Sequence, residues 1–328
     1  MFSKFILNTL FLFSVLTVFA QTDGGKKVNT KLIKVSNKIY ALQGQGGNIG
    51  LSVGADGVFM IDDQFADGIE QIQNDIKKVS NKPVRFLVNT HFHGDHTGGN
   101  PAMAQSGAII ISQENVRTRL KEVIAKESKK IADEALPIIT FTEDLTFYFN
   151  GEKIYVFHVH NAHTDGDAMV YFTESNVLHT GDVFFNGKYP YIDLDHGGSI
   201  KGYIAGLDRA LMVINEDTKI IPGHGPVGTY KDLIDTRDML SILYKRVYNQ
   251  YLGKKTEEAV AQMADLTAEY DEKGFGDGFI KTDVFLKTIY NDIARELTKE
   301  AQERKAKNEA AMKKYKEIER KLEKEGKN

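Results

Sequence analysis

The segment NTHFHGDHTGGN, residues 89–100, places three histidines and one aspartate within six positions. It follows an apolar stretch that predicts a short buried strand, and it runs into glycines. A polar surface loop and a metal site are the two interpretations of such crowding. His91 and His93 lie two apart on an extended segment and point to the same side, whereas Asp95 and His96 fall on the next turn. The spacing predicts two neighbouring metal positions.

The other histidines favour the metal site, because several recur where a predicted strand gives way to a loop. His163 in NAHTDGD, Asp182 in LHTGDVF and His224 in IIPGHGP each follow a strand and lie near a glycine. Strand ends are rigid mounts, so we expect these side chains to meet in one cleft. The chain has no cysteine, so any metal must be held by nitrogen and oxygen.

Hydrophobic periodicity indicates strands and helices interleaved along the whole chain. Strands are predicted over 31–40 and 49–61 around a glycine-rich hairpin, and helices over 66–78, 114–134 and from Ser199 to about 214. The pattern becomes helical again from about Thr256. Such interleaving predicts one α/β domain with two sheets.

The N-terminus has the features of a secretory signal peptide over residues 1–20. One lysine precedes an apolar run, and the small residues Val18 and Ala20 stand before Gln21. A retained membrane anchor is the alternative. We expect an exported protein, periplasmic or secreted, without stable membrane association after signal cleavage.

The net charge argues against some classes of partner, and a high density of charged residues distinguishes the C-terminal end of the chain. The net charge of -3 gives no case for nucleic acid or an anionic membrane surface. Residues 296–328 predict a charged helical tail with a narrow apolar stripe. A solvated helix and a homodimer contact through the stripe are both open. The stripe consists of Ala311, Tyr315, Ile318 and Leu322.

The run of residues 91–96, followed in order by His163, Asp182 and His224, resembles the metallo-β-lactamase superfamily. The resemblance implies an α/β fold, the αβ/βα four-layer sandwich, with a C-terminal helical extension. The metal cleft would lie along one edge of the two packed sheets. Residues 21–295 would form the catalytic domain, including the helical C-terminal region.

The resemblance also implies a ligand set and metals. A bridging aspartate is similar to the glyoxalase II type of site, whereas β-lactamases that use a cysteine ligand are excluded as a template. Two Zn²⁺ ions are expected from the donors, although iron or manganese suits them too. The first metal would be held by His91, His93 and His163, the second by Asp95, His96 and His224, with Asp182 bridging both.

Such a centre predicts an exported metal-dependent hydrolase acting on a small molecule. A hydroxide bridging the two metals would cleave an ester, amide or lactam bond, and β-lactamase-type activity is one case. Asp95 would bind the second metal, orient the nucleophile and pass a proton to the leaving atom.

Three other interpretations stay open. One is a mononuclear iron oxygenase of the sulfur dioxygenase type, which reuses the first-site ligands and differs in metal content. Another is a lactonase or phosphodiesterase of the same superfamily, although Phe185 stands where lactonases have a tyrosine. The third is a binding protein that keeps the fold without catalysis.

Supporting roles are expected for several further residues. Asp62 or Asp63 could support the histidine loop by hydrogen bonds or simply end a strand, and Asp167 fits a turn. His158 and His160 share one strand face and, like His179, fit structural roles. His196 and Lys188 lie on a loop that should overlook the cleft.

Overall fold

The computed structural model of the protein describes residues 28–127 and 135–325, with side chains described as far as residue 316. The predicted signal peptide, residues 1–20, lies outside the described residues. Within the described ranges, no helix combines the length and the apolar character needed to cross a membrane.

The first sheet holds seven strands in chain order within the described residues. Neighbours from β1 to β4 pair antiparallel, and neighbours from β4 to β7 pair parallel. The strands are β1 (Lys31–Lys34), β2 (Ile39–Gln43), β3 (Ile49–Gly54), β4 (Gly57–Ile61), β5 (Val84–Asn89), β6 (Ile109–Gln113) and β7 (Ile139–Phe141).

The second sheet has six strands in the order β13-β12-β11-β10-β9-β8, again counted over the described ranges. Only β11 and β12 pair parallel, and the other neighbours are antiparallel. The strands are β8 (Asp144–Phe149), β9 (Glu152–His158), β10 (Ala168–Phe172), β11 (Val177–His179), β12 (Lys219–Ile221) and β13 (Gly228–Thr229).

Helices flank both sheets. They are α1 (Ile69–Lys77), α2 (Gly94–Thr97), α3 (Asn100–Gln105), α4 (Glu114–Glu127), α5 (Ile200–Val213), α6 (Tyr230–Leu252), α7 (Glu257–Ala261), α8 (Ala268–Asp271) and α9 (Thr282–Glu325).

Three apolar clusters hold these layers together. Side chains such as Phe59 and Val88 of the first sheet meet Val170 of the second in the central cluster. The outer face of the first sheet packs against α1 and α3, and that of the second packs against α5, α6 and α9. Burial of both sheet faces therefore produces the predicted αβ/βα four-layer sandwich with a C-terminal helical extension, which is confirmed.

Some local predictions were wrong. The strands expected over 31–40 and 49–61 are each two strands, because the chain turns after β1 and after β3. Helix α6 was not predicted, although a capping box begins it: Thr229 Oγ1 accepts from the Asp232 amide, and the Asp232 carboxylate accepts from the Thr229 amide. Of the helix predicted over 114–134, α4 covers Glu114–Glu127, and the rest stays a prediction because residues 128–134 lie outside the described residues.

The charged tail continues α9 without a break, so the boundary predicted at 295/296 falls inside this helix. The change there is in exposure, since Ile293 is buried and residues 298–316 are exposed. Tyr315 of the apolar stripe is 59% exposed. The side chains of Ile318 and Leu322 lie outside the described part, and the homodimer stays a prediction.

Candidate metal centre

The end of β5 sets the direction of the first four candidate ligands. Backbone at His93 is extended (φ -64°, ψ 147°), and this residue is the N-cap of α2. His91 and His93 therefore lie on extended chain, while Asp95 and His96 lie on the first turn of a helix. This change of backbone geometry separates the two pairs as the spacing predicted.

The remaining candidates come from the second sheet. His163 lies between β9 and β10, Asp182 follows β11 and His224 follows β12. Since β10, β11 and β12 are neighbours in this sheet, the three loops meet at one edge. An isolated parallel bridge between Phe185 and His224 joins two of these loops.

The structure brings all seven predicted side chains together. Within each of three groups the donor atoms lie within 4.8 Å of one another. The Nδ1 atom of His93 and the Nε2 atom of His163 are 2.9 Å apart. The groups are His91, His93 and His163; His91, His96 and Asp182; and Asp95, His96 and His224.

Asp182 lies between the two predicted metal positions. Its Oδ1 atom is 3.0 Å from Nε2 of His96, and its Oδ2 atom is 3.6 Å from Nε2 of His163 and 3.4 Å from Nε2 of His224. Nε2 of His224 is also 3.3 Å from Oδ2 of Asp95. A carboxylate in this position can bridge two cations.

Asp62 orients two of the imidazoles. Its carboxylate accepts hydrogen bonds from the Thr90 amide and from Thr90 Oγ1, both at 2.7 Å, and Oδ2 is 2.7 Å from Nδ1 of His96. Nδ1 of His91 lies 3.1 Å from Thr90 Oγ1. These contacts leave Nε2 of both rings directed at the centre, so the supporting role predicted for Asp62 matches the geometry.

Asp193 supports the opposite side of the centre, a role that was not predicted from the sequence. Its Oδ2 atom is 3.0 Å from Nε2 of His93 and 2.7 Å from Nδ1 of His196. The Tyr191 carbonyl accepts from Nδ1 of His163 at 2.8 Å. The aspartate was visible in DLDHGG beside His196, but no sequence signal reveals a carbonyl acceptor.

Three polar atoms of the centre are buried and make no hydrogen bond of acceptable geometry with the described residues, although the last two lie 3.0 Å apart: His91 Nε2, His96 Nε2 and Asp182 Oδ1. Buried polar groups are normally partnered, because leaving one unpaired costs about 1–3 kcal/mol. These atoms belong to imidazole and carboxylate groups directed at a shared point. The residues present therefore fit bound divalent cations.

Burial and neighbouring charges divide the pKa values of the histidines. Burial lowers the pKa of His163 to about 4 and holds that of His91 well below its usual value. Burial also opposes charge on His224 and His96, but the neighbouring carboxylates, Asp182 foremost, together outweigh it and raise the pKa of both rings, that of His224 to about 9. The metal-free centre thus holds both neutral and protonated imidazoles.

Two glycines let the backbone approach the centre. A Cβ atom on Gly47 would lie 2.0 Å from Cε1 of His96, and one on Gly223 would lie 2.0 Å from Oδ1 of Asp182. The glycine-rich hairpin between β2 and β3 thus packs directly against the candidate metal centre. Asn48 joins the two loops, since its amide donates to the Gly223 carbonyl at 2.7 Å.

Aromatic rings border the centre. The Tyr191 ring centroid is 5.7 Å from those of His93 and His163, and Phe185 stacks on His224 at 4.8 Å. Phe279, which is 88% exposed, meets Tyr191 edge-on at 6.4 Å.

The loop 186–198 carries the acceptors at Tyr191 and Asp193. Residues 271–274, which we call the C-terminal segment, hold this loop in place by hydrogen bonds. Lys188 Nζ donates to the Gly274 carbonyl at 2.8 Å, and the Tyr189 hydroxyl donates to Asp271 at 3.0 Å. Lys188 is therefore engaged by the C-terminal segment.

The remaining histidines have structural partners. Nε2 of His179 donates to the Asn48 carbonyl at 2.9 Å, and Nδ1 of His158 lies 2.7 Å from the Asp167 carbonyl. His160 pairs with Glu143 at the surface. The Asp167 carboxylate accepts from the amide and hydroxyl of Thr164, and burial raises its pKa to about 8, which fits a turn role.

Comparison with known proteins identifies the family. The profile of the metallo-beta-lactamase superfamily matches residues 44–225, and the chain belongs to this superfamily. It is 27% identical over 155 residues to a hydroxyacylglutathione hydrolase of Pelagibacter ubique, which covers 45% of this chain and 56% of that protein. The match thus spans little more than half of that relative.

Two further matches name metallo-beta-lactamases. The type 2 enzyme of Bacillus sp. (strain 170) is 22% identical over 185 residues, covering 56% of this chain and 68% of that protein. The solved metallo-beta-lactamase from Pontibacter korlensis superposes with a TM-score of 0.56 at 22% identity, covering 65% of this chain and 99% of that one. At this identity, the match to the solved structure shows a shared fold and nothing further.

Proposed function

We propose that the protein is an exported hydrolase that uses two divalent cations to cleave an ester, amide or lactam bond, with zinc as the first choice of metal. The observation that carries the proposal is the convergence of seven nitrogen and oxygen ligands, including the unpartnered buried atoms of His91, His96 and Asp182. Membership of the superfamily supports it. Export to the periplasm or medium rests on the sequence of residues 1–20.

The first site would be formed by His91, His93 and His163, and the second by Asp95, His96 and His224, with Asp182 between them. Bound cations would supply Lewis acidity, which activates water and polarises the scissile bond. In ester cleavage the water oxygen bonds to the acyl carbon, the carbon–oxygen bond breaks, and a proton goes to the leaving oxygen.

Asp95 is the residue proposed to orient the water and move its proton. Its side chain is partly exposed, whereas that of Asp182 is buried. Burial opposes ionisation of Asp95, but His224 and His96 outweigh it and lower its pKa, so the group is an acceptor at neutral pH. With metals bound, the contacts of Asp62 with His96 and of Asp193 with His93 would fix the ring tautomers and leave the other nitrogen of each ring for the metal.

Elemental analysis of the mature protein, followed by assays with nitrocefin, lactones, thioesters and phosphodiesters, tests the proposal. The hydroxyacylglutathione hydrolase relative is one reason to include thioesters. Two zinc ions per chain and hydrolysis of one of these bonds are expected. One iron with oxygen consumption would instead support the oxygenase, and a fully metal-loaded protein without hydrolysis would overturn the proposal.

Asp95→Ala tests the catalytic assignment separately from metal binding. Turnover should fall by roughly 100-fold or more, the usual contribution of a positioned acid or base, while the first site still binds its metal. Asp195→Ala, an exposed residue of loop 186–198, is the control. Unchanged turnover of metal-replete Asp95→Ala would refute the role.

A further inference from the structure

Two aromatic side chains lead from the candidate metal centre to the surface. The Tyr191 ring centroid lies 5.7 Å from the rings of His93 and His163, two candidate ligands of the first metal. The Phe279 ring meets the Tyr191 ring edge-on, with the centroids 6.4 Å apart. We call this pair, Tyr191 and Phe279, the aromatic edge. It begins beside two candidate ligands and ends at the surface.

The aromatic edge is accessible from the centre. Tyr191 is 38% exposed and Phe279 is 88% exposed. The side chain of His93, which lies beside Tyr191, is partly exposed, as is that of Asp95. A molecule held at the centre can therefore extend past His93 onto the aromatic edge.

The backbone around Phe279 is anchored, although its ring is exposed. The next residue, Ile280, is buried in the apolar cluster between the second sheet and its helices. On the other side the Lys188 stem packs against Gly278, where a Cβ atom would lie 3.0 Å from Cδ of Lys188. An aromatic side chain has few rotatable bonds, so a ring on such a backbone loses little conformational freedom when it binds a ligand.

The size of the aromatic edge fits a small molecule and not a protein partner. Complete burial of two aromatic side chains covers at most about 500 Å². One partner of a stable protein interface buries roughly 800 Å². The position beside two candidate ligands also distinguishes this pair from a single exposed apolar residue, which is common on protein surfaces.

Charged groups near the aromatic edge are engaged elsewhere. Lys188 Nζ donates to the Gly274 carbonyl, and Asp195 pairs with Arg295. What the edge offers a ligand is therefore ring surface. Aromatic rings attract one another beyond the effect of buried area, which favours an aromatic ligand over a saturated one of the same size by about two- to tenfold.

We propose that the aromatic edge binds an uncharged aromatic ring of the substrate, which makes Tyr191 and Phe279 specificity-determining residues. The inference rests on the proposed function and deepens it, because it names the substrate class: a compound with an aryl group a few bonds from the scissile bond. Phe279 belongs neither to the candidate ligands nor to the residues that support them, so the tests vary Phe279.

The first test is hydrolysis of matched thioesters by the zinc-loaded full chain. The substrates are the S-ethyl thioesters of phenylacetic, 3-phenylpropanoic and 4-phenylbutanoic acid, and S-benzyl thioacetate, each beside its cyclohexyl counterpart. The protein contains no cysteine, so the released thiol can be titrated with a disulfide reagent. For at least one pair, kcat/KM of the aryl substrate should exceed that of the cyclohexyl substrate by about two- to tenfold.

Variants of Phe279 test whether the aromatic edge causes this preference. Phe279→Leu keeps an apolar side chain without the ring and should lower the aryl-to-cyclohexyl ratio of kcat/KM by at least about twofold, whereas Phe279→Tyr should keep it. Tyr148→Leu, at an 81% exposed position on the edge strand β8, is the control and should keep the wild-type ratio. Equal ratios in the wild type and Phe279→Leu would overturn the inference.

The second test measures binding without turnover. Ring resonances of isotope-labelled protein are followed while benzyl alcohol or cyclohexylmethanol is added, with and without zinc. We expect shifts at Tyr191 and Phe279 that saturate at lower concentrations of benzyl alcohol, and a weaker response of Tyr191 in Phe279→Leu. Benzyl alcohol that leaves both rings unshifted, or that binds no better than cyclohexylmethanol, would overturn the inference.

The two proposals can fail separately. If none of the thioesters is hydrolysed, the benzyl alcohol titration alone decides whether the aromatic edge binds an aryl group. The proposed function is then judged from the assays with nitrocefin, lactones and phosphodiesters.

Discussion

Replacing Asp193 by asparagine should weaken metal binding without unfolding the protein. Asp193 does not belong to the predicted ligand set, but its Oδ2 atom is 3.0 Å from Nε2 of His93 and 2.7 Å from Nδ1 of His196. Its Oδ1 atom accepts from the amides of Asp195 and His196 at 3.2 and 3.1 Å. The asparagine side chain has nearly the same size as the aspartate that it replaces.

The size of the effect follows from these contacts. If the asparagine oxygen keeps the two backbone amides, its NH₂ group faces the ring nitrogens of His93 and His196, so donor opposes donor. A hydrogen bond to a charged group is worth about 1.5–3 kcal/mol. Losing the one that orients His93 should therefore weaken metal affinity by about 10- to 100-fold, the usual effect of removing such support.

Zinc competition with a chromophoric chelator at neutral pH measures this affinity. Asp195→Asn is the matched control, because Asp195 lies on the same loop, is exposed, and pairs with Arg295 instead of a candidate ligand. Thermal unfolding of the metal-free proteins checks that both variants fold. Equal zinc affinity of Asp193→Asn and the wild type would show that Asp193 does not position His93.

Three other outcomes are expected. Gly47→Ala places a Cβ atom 2.0 Å from Cε1 of His96, so it should lower metal content to below two ions per chain by elemental analysis; full loading would contradict this. In the metal-free protein the neighbouring carboxylates, Asp182 foremost, together outweigh burial and raise the pKa of His96 and His224, so both must lose a proton to bind metal. Zinc affinity should therefore rise with pH, by up to about tenfold per pH unit for each proton released. Calorimetry in buffers of different ionisation enthalpy should detect proton release on zinc binding at pH 7. The absence of proton release would refute this prediction. Phe285→Ala removes a fully buried ring stacked on Tyr189 at 4.6 Å. It should lower the free energy of unfolding, measured by urea denaturation, by about 3–5 kcal/mol, and a loss below about 1 kcal/mol would contradict this.

Local spacing, together with the family resemblance, made the candidate ligands predictable. His91, His93, Asp95 and His96 follow one strand, so backbone geometry alone fixes their relative directions. His163 and His224 were identified because they follow strands, and the two-sheet fold places strand ends at a common edge. The predicted set therefore needed no knowledge of the loop conformations.

The supporting contacts depend on tertiary structure and were only partly predictable. Asp62 adjoins a strand end and was considered, whereas Asp193 acts through a loop conformation that no periodicity encodes. Helix α6 was missed although Thr229 and Asp232 have the spacing of a capping box.

The bracing of loop 186–198 by the C-terminal segment bears on where this chain can be cut. The superfamily match ends at residue 225, yet Gly274 and Asp271 anchor Lys188 and Tyr189 of that loop. A shortened chain ending at the match would retain all seven candidate ligands and lose these anchors. The matched segment thus has supports that lie beyond its end, and we expect well-behaved expression boundaries for this protein to extend past Gly274.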